Sequence, residues 1–229
     1  MLSASEMGDS EATIALIAAG IRSGSFRVSE KPLKRLEILA KEGNPRAMTL
    51  LGRTVATKGK TAEALEWFRK ATRGPAGLDF EEAGEALVYE GELLMKSHRK
   101  EAIAVLRKAA LELDDPSAYF YLAELEKSGS PNQIVYFMKA ASSGITEAAH
   151  ELGLIEVAKA VESADGNTPP HYEMAREWFQ LAAADNYRPS MISMSKICRD
   201  NGEAEEARKW LNKANMARDA GRVKGTARK

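Results

Sequence analysis

The fold is decided by residues 43–74, which read GNPRAMTLLGRTVATKGKTAEALEWFRKATRG. Asn44 followed by Pro45 predicts the start of a helix, because Asn caps helix N-termini and Pro is tolerated in the first turn. Gly52 lies on the apolar face of that helix, where the missing side chain lets another helix come close. Residues 64–71 carry an apolar stripe at helical spacing and predict a second helix. The stretch therefore predicts one antiparallel helix pair.

A small residue followed by another small residue five positions later recurs along the chain. The copies are Ala47/Gly52, Ala86/Gly91, Ala118/Ala123, Ala148/Gly153 and Ser190/Ser195, with a weaker copy at Ala12/Ile17. Successive copies are 30 to 42 residues apart, and a two-helix repeat of that length is typical of a solenoid. The predicted helix pairs cover about residues 10–42, 45–73, 79–113, 116–143, 146–185 and 188–218.

The order of residues in the best copies resembles a known repeat family. One copy has Ala47, Leu51 and Gly52 followed by Ala64, Trp67, Lys70, Ala71 and Gly74, and another has Ala148, Leu152 and Gly153 followed by Ala175, Trp178, Ala182 and Ala183. This order resembles the Sel-1-like repeat, a relative of the tetratricopeptide repeat, over residues 8–218. The resemblance implies an all-α, right-handed α-solenoid (a superhelix) of about six antiparallel helix pairs. It also implies a role as an adaptor in protein complexes. The first pair, the third pair and residues 133–140 depart from the pattern.

The signals at the predicted helix ends agree with this division. Asp115, Ser130 and Thr168 each precede a proline and are predicted helix N-caps, like Asn44. Asp79 with Glu82 resembles a capping box. Predicted helix ends coincide with Gly43, Gly129, Gly144 and Gly202. The loop at 163–170 is expected to be mobile.

Composition narrows the class of protein. Lys and Arg total 33, as do Asp and Glu, so the formal net charge is zero, which argues against a nucleic-acid-binding protein. Cys198 is the one cysteine, so an intrachain disulfide is excluded and a reducing compartment is favoured. We therefore expect an intracellular protein of the cytoplasm or mitochondrial matrix. The longest apolar run is too short to span a bilayer.

The predicted domain organisation is a single repeat solenoid over residues 1–218 and a basic flexible tail over 219–229. The basic residues around this tail are Arg218, Arg222, Lys224, Arg228 and Lys229, against the one acid Asp219. Such a segment is usually solvated, but it could contact RNA, an anionic membrane or an acidic protein. It is the only support for an alternative function, that of an RNA-associated helical-repeat protein.

The motifs that suggest catalysis are each incomplete. Residues 59–61 read Gly-Lys-Thr, like the end of a phosphate-binding loop, but Thr54 stands where that loop needs glycine. Ser193 and Lys196 match a short acyl-enzyme motif without its companion motifs. Glu147 lies one helical turn before the adjacent His150 and Glu151, and the three are expected to form a surface-exposed trio. The sequence therefore predicts a protein that is not an enzyme and has no cofactor and no metal site, with Cys198 as an inert core thiol.

The predicted binding surface lies on the first helix of each pair, because first helices line the concave side of solenoids of this type. The residues predicted to line this groove are Arg53, Tyr89, Glu92, Phe120, Tyr121, Glu124, His150 and Lys196. Tyr89 and Tyr121 occupy equivalent positions in neighbouring pairs, so we expect their rings to lie side by side. The expected partner is a protein that places a peptide or helix in the groove, with an apolar or aromatic anchor beside a basic residue.

Overall fold

The structure is a computed structural model that describes residues 9–22, 30–164 and 170–226, with side chains for 9–21, 30–164 and 170–217. Within these ranges the chain forms twelve α-helices and no strand. The helices are α1 (Ser10–Arg22), α2 (Glu30–Lys41), α3 (Pro45–Ala56), α4 (Thr61–Arg73), α5 (Ala83–Leu94), α6 (Arg99–Glu112), α7 (Pro116–Leu125), α8 (Pro131–Ser142), α9 (Thr146–Ser163), α10 (Glu173–Ala184), α11 (Arg188–Asp200) and α12 (Ala204–Thr226).

Consecutive helices form the predicted pairs. Helix α3 packs on α4, α5 on α6, α9 on α10 and α11 on α12. The all-α architecture of about six helix pairs is therefore confirmed. Helix α12 runs beyond the predicted end of the last pair to Thr226, while residues 227–229 and the side chains from Arg218 onward lie outside the description.

Most of the predicted helix ends are confirmed in detail. The side chain of Asn44 accepts a hydrogen bond from the backbone N–H of Ala47 at 3.0 Å, and Ser130 does the same for Gln133 at 3.2 Å. Gly43 has a φ of 98°, a left-handed conformation that glycine adopts without steric cost. Thr168 and most of the loop at 163–170 lie outside the described residues.

The capping box predicted from Asp79 and Glu82 is wrong. Helix α5 begins at Ala83, so Glu82 stands at its N-cap position, and its side chain makes no cap hydrogen bond. The carboxylate instead accepts two hydrogen bonds from the guanidinium of Arg46 on α3. A non-local ion pair has replaced the local contact that the sequence pattern indicated.

Close contacts at small residues hold the two helices of a pair together. A Cβ atom built at Gly153 on α9 would lie 2.4 Å from the ring of Phe179 on α10. The same atom at Gly52 on α3 would lie 2.8 Å from the ring of Phe68 on α4. Atoms cannot approach so closely, so both glycines are required by packing, as the sequence predicted.

The chain divides into two compact units, residues 1–121 and 122–229. Helix α3 is central to the first unit, because it contacts α1, α2, α4 and α5. The core of the first unit contains Ile14, Leu36, Leu50 and Phe68, all fully buried. The core of the second unit contains Phe179, Met194 and Ile197. The single solenoid domain expected over residues 1–218 stays a prediction.

Candidate functional site

A cleft of about 470 Å³ opens in the first unit among α1, α3 and the beginning of α5. Its apolar wall is formed by Ala18, Leu50 and Phe80. Its polar wall carries Arg53 and four carboxylates, those of Glu81, Glu82, Glu85 and Asp115. The cleft thus combines an apolar surface with a predominantly acidic one.

Arg46, on the first turn of α3, is the cation at one side of the cleft. Its Nε donates to both carboxylate oxygens of Glu82, at 2.9 and 2.8 Å. Its two terminal nitrogens lie 2.8 Å from a carboxylate oxygen of Glu11 and 3.0 Å from one of Glu81. The bond to Glu82, together with the charges of Glu11 and Glu81, raises the pKa of Arg46. One guanidinium is therefore shared by three carboxylates.

Arg53 is placed two turns further along α3 and joins the cleft to an aromatic stack. It donates a hydrogen bond to the carboxylate of Glu85 on α5. Its guanidinium carbon also lies 5.0 Å from the centre of the Tyr89 ring, within the range of a cation–π contact. The Tyr89 ring is stacked on Phe68, with centroids 5.7 Å apart and planes inclined by 11°. Arg53 and Tyr89, both predicted to line the groove, are therefore brought together.

The electrostatic environment of the cleft is negative. Burial raises the pKa of Glu85, the charge of Arg53 lowers it, and the neighbouring Glu82 and Asp115 raise it further. Burial likewise raises the pKa of Tyr89. Glu85 therefore titrates above its ordinary range although it is bonded to an arginine.

Asp115 is fixed at the wall of the cleft by two neighbours. Its Oδ1 accepts hydrogen bonds from the backbone N–H groups of Ser117 at 2.9 Å and Ala118 at 3.2 Å, so it caps α7 as predicted. Its Oδ2 would be 2.6 Å from a Cβ atom at Gly84. A residue with a side chain at position 84 would push this carboxylate away, so glycine preserves the shape of the wall.

Four carboxylates pair with the guanidinium groups of Arg46 and Arg53, those of Glu11, Glu81, Glu82 and Glu85. A fifth, that of Asp115, lines the same cleft. The side chains of Glu11 and Glu81 are 70% and 78% exposed, so both remain accessible to a ligand. The arrangement is suited to binding a cationic group next to an apolar one, because opposite charge and apolar burial are offered side by side.

The other predicted groove residues have varied surroundings. Phe120 and Tyr121 are half-buried and meet edge to face, with centroids 5.6 Å apart. The side chains of Glu92, Glu124 and Lys196 are exposed. The side-by-side arrangement of Tyr89 and Tyr121 stays a prediction, as does the binding role of each predicted groove residue.

The expectation that His150 is exposed is wrong. Only 8% of this residue is accessible, and its ring centre lies 5.3 Å from the ring centres of both Phe179 and Tyr187. Its Nδ1 is 2.9 Å from the hydroxyl oxygen of Ser190 on α11. Burial lowers the pKa of His150. The ring fills a contact between helices and leaves little of its surface open to a ligand.

The error for His150 has a general cause. The equivalent residues Thr49 and Val88 are 0% and 6% exposed, so this position is buried in three helix pairs. The first helices α3, α5, α9 and α11 pack on their partners and also on a neighbouring pair, which leaves a narrower open face than a single helical wheel predicts.

Among the residues that the structure describes, no three His, Cys, Asp or Glu side chains are placed so that they could hold a metal ion. In the same residues no helix is both long and apolar enough to cross a membrane. Cys198 is 1% exposed, as expected of a core thiol, and burial raises its pKa.

Arg46, Glu82 and Glu85 were not among the binding residues predicted from the sequence. A signal was present, because Arg53 and Glu85 carry opposite charges 32 positions apart, which is close to the repeat length. Charged residues at such spacing can meet between neighbouring repeats. Searching for them pairwise across repeats would have indicated this cleft.

Comparison with solved structures shows which proteins share this fold. A Sel1 repeat protein from Oxalobacter formigenes superposes with a TM-score of 0.66 and 20% sequence identity, covering 93% of this chain and 90% of that chain. MamA superposes with a TM-score of 0.54 and 18% identity, covering 75% of this chain and 96% of that chain. No protein-family model and no curated protein matches the sequence. The chain thus has the helical-repeat solenoid fold of these proteins, in agreement with the Sel-1-like resemblance of its repeats.

Proposed function

We propose that this protein is a non-catalytic scaffold or adaptor for protein complexes, which binds a segment of a partner protein on the surface of its first helices. The observation that carries the proposal is the cleft beside Arg53 and Tyr89, where an apolar wall faces an excess of carboxylates. The fold supports it, because helical repeats present extended surfaces suited to binding.

The chemistry of the cleft defines the partner segment. An apolar or aromatic side chain packs against Ala18 and Phe80, and an adjacent lysine or arginine reaches Glu81 or Glu85. Burying a large apolar side chain contributes about 1.5–3 kcal/mol, whereas an exposed ion pair contributes about 0–1 kcal/mol. The apolar anchor therefore supplies most of the affinity, and the basic residue supplies orientation and specificity.

The alternative, an RNA-associated protein, is less consistent with this site. A phosphate backbone entering the cleft would meet more carboxylates than guanidinium groups, which repels a polyanion. The proposed location is the cytoplasm or the mitochondrial matrix, because the one cysteine in the chain is unpaired and buried.

Selection of random peptides displayed on phage against the immobilised protein tests the proposal. We expect enrichment of peptides with a lysine or arginine next to a large apolar residue. Glu81→Lys should reduce the affinity of these peptides by about tenfold, since it reverses a charge at the polar wall. Tyr121→Ala should weaken binding by about 2 kcal/mol if this residue belongs to the same binding surface.

The matched control is Glu66→Lys, the same change of charge at an exposed position on α4. Equal losses for Glu66→Lys and Glu81→Lys would place the binding surface elsewhere. Enrichment of acidic peptides, or of none, would contradict the proposed scaffold function of this cleft.

A further inference from the structure

The cleft of the first unit is suited to binding a cationic, partly apolar segment. Arg46 is shared by Glu11, Glu81 and Glu82, so these carboxylates are only partly neutralised. Two of them are largely exposed and can turn toward an incoming ammonium or guanidinium group without breaking the hydrogen bonds that Nε of Arg46 donates to Glu82.

The chain itself contains a segment with the complementary composition. Residues 218–229 read RDAGRVKGTARK, with five basic residues and one acid, in a protein whose total charge is zero. Val223 is flanked by Arg222 and Lys224, so an apolar side chain stands between two cations. That order matches the cleft, where the apolar wall adjoins the carboxylates.

We propose that the cleft in the first unit binds the basic segment 218–229 of a second copy of this chain. The inference rests on the proposed function, because it assigns an occupant to the same cleft. The protein then associates through two different surfaces, so that each copy offers one cleft and one segment. Such a heterologous contact can extend from copy to copy.

This arrangement regulates the scaffold. A partner with a basic and apolar segment competes with the segment 218–229 for one cleft, so self-association and partner binding exclude each other there. The contact depends on exposed charges, so it is weak and is reduced by salt. Self-association is therefore expected at high protein concentration and low ionic strength.

Sedimentation velocity of the full chain tests the inference with two charge-reversed variants. The cleft variant carries Glu11→Lys and Glu81→Lys, and the segment variant carries Arg222→Glu and Lys224→Glu. Each variant alone should associate at least about tenfold more weakly than the wild type, because every contact contains one reversed surface. The control carries Glu66→Lys and Glu112→Lys at exposed positions on α4 and α6, and should associate like the wild type.

The decisive sample is an equimolar mixture of the cleft variant and the segment variant. The cleft variant keeps an intact segment and the segment variant keeps an intact cleft, so association should return in the mixture although neither variant associates alone. Circular dichroism of each variant verifies that it is folded. A wild type that stays monomeric at all concentrations and low salt would overturn the inference, and so would a mixture that stays monomeric.

The two proposals fail in distinguishable ways. If the chain does not self-associate but still selects basic and apolar peptides through Glu81, the second-copy inference is overturned and the scaffold proposal stands. If neither self-association nor peptide selection depends on Glu81, both are overturned.

Discussion

The two units share their packing within helix pairs but differ in the polar contacts that join the first helix of one pair to the first helix of the next. In the first unit these contacts are ion pairs, such as Arg46 with Glu82 and Arg53 with Glu85. In the second unit the buried contact between α9 and α11 is the neutral hydrogen bond of His150 with Ser190. The repeat fold thus fixes the small-residue contacts and leaves the links between pairs free to differ in charge. The units are therefore expected to respond differently to pH and to loss of charge.

A deeply buried ion pair lies in the first unit. Glu90 on α5 is 0% exposed, and one of its oxygens accepts hydrogen bonds from Arg69 at 3.1 Å and Arg73 at 2.9 Å. Its other oxygen has no hydrogen-bond partner among the residues that the structure describes. Arg69 also donates to Glu101 on α6 at 2.7 Å, so the network joins three helices. A buried carboxylate is tolerated only with such partners, because its desolvation is costly.

The largest loss of stability is expected at the close glycine–phenylalanine contacts within helix pairs, which both units contain. Gly153→Leu places a side chain where the ring of Phe179 already lies, and should lower the free energy of unfolding by about 1–3 kcal/mol or more. Gly52→Leu, against Phe68, should have a comparable effect in the first unit. Thermal and denaturant unfolding followed by circular dichroism measures both.

The matched control for this prediction is Ala158→Leu, at an exposed position of α9. It adds the same side chain to the same helix away from the contact with α10. A Gly153→Leu variant with an unchanged Tm would show that the close contact between α9 and α10 does not determine stability.

A smaller effect is expected from neutralising the buried carboxylate of the first unit. Glu90→Gln keeps the shape of the side chain but leaves Arg69 and Arg73 facing a neutral amide, so it should cost about 1–3 kcal/mol. Glu101→Gln alters the same network at a side chain that is 39% exposed, and should cost under about 1 kcal/mol. Denaturant unfolding compares the two variants, and equal losses would mean that burial of Glu90 adds nothing.

The smallest effect is a pH dependence at the contact between α9 and α11 in the second unit. Burial lowers the folded-state pKa of His150 below its ordinary value of 6.5, so the unfolded chain binds its proton first as the pH falls. The stability from neutral His150 is complete above pH 6.5, declines as the pH drops below that value, and is gone below the folded-state pKa. Hydrogen exchange of α9 and α11 amides should therefore accelerate under mild acid.

The variant that isolates this effect is His150→Gln, which can still hydrogen-bond Ser190 but does not titrate near neutral pH. Its α9 and α11 amides should lose the added acceleration below pH 6.5, after correction for intrinsic exchange. Amides of α4 in the first unit are the internal reference. If the variant keeps the full pH dependence, a group other than His150 is responsible, and the hydrogen bond of His150 with Ser190 does not cause the effect.

The helix pairs and their closest contacts could be predicted from the sequence, because they depend on local and periodic information. Asn44 and Ser130 begin helices through bonds to residues three positions away, and Gly52 and Gly153 recur at fixed places in the repeat. The spacing of apolar residues identifies the face of a helix that must be covered. This spacing does not predict how many neighbouring helices cover the other faces.

Only the tertiary structure decided which polar residues are buried and which carboxylates meet. His150 is enclosed by Phe179 and Tyr187. The side chain of Glu82 bonds Arg46, 36 positions earlier in the chain, instead of capping the start of α5. The cleft depends on the same non-local approach of α1, α3 and α5. Local spacing determines the helices and their pairing, whereas the charge and burial of a site depend on the residues that neighbouring pairs bring to it.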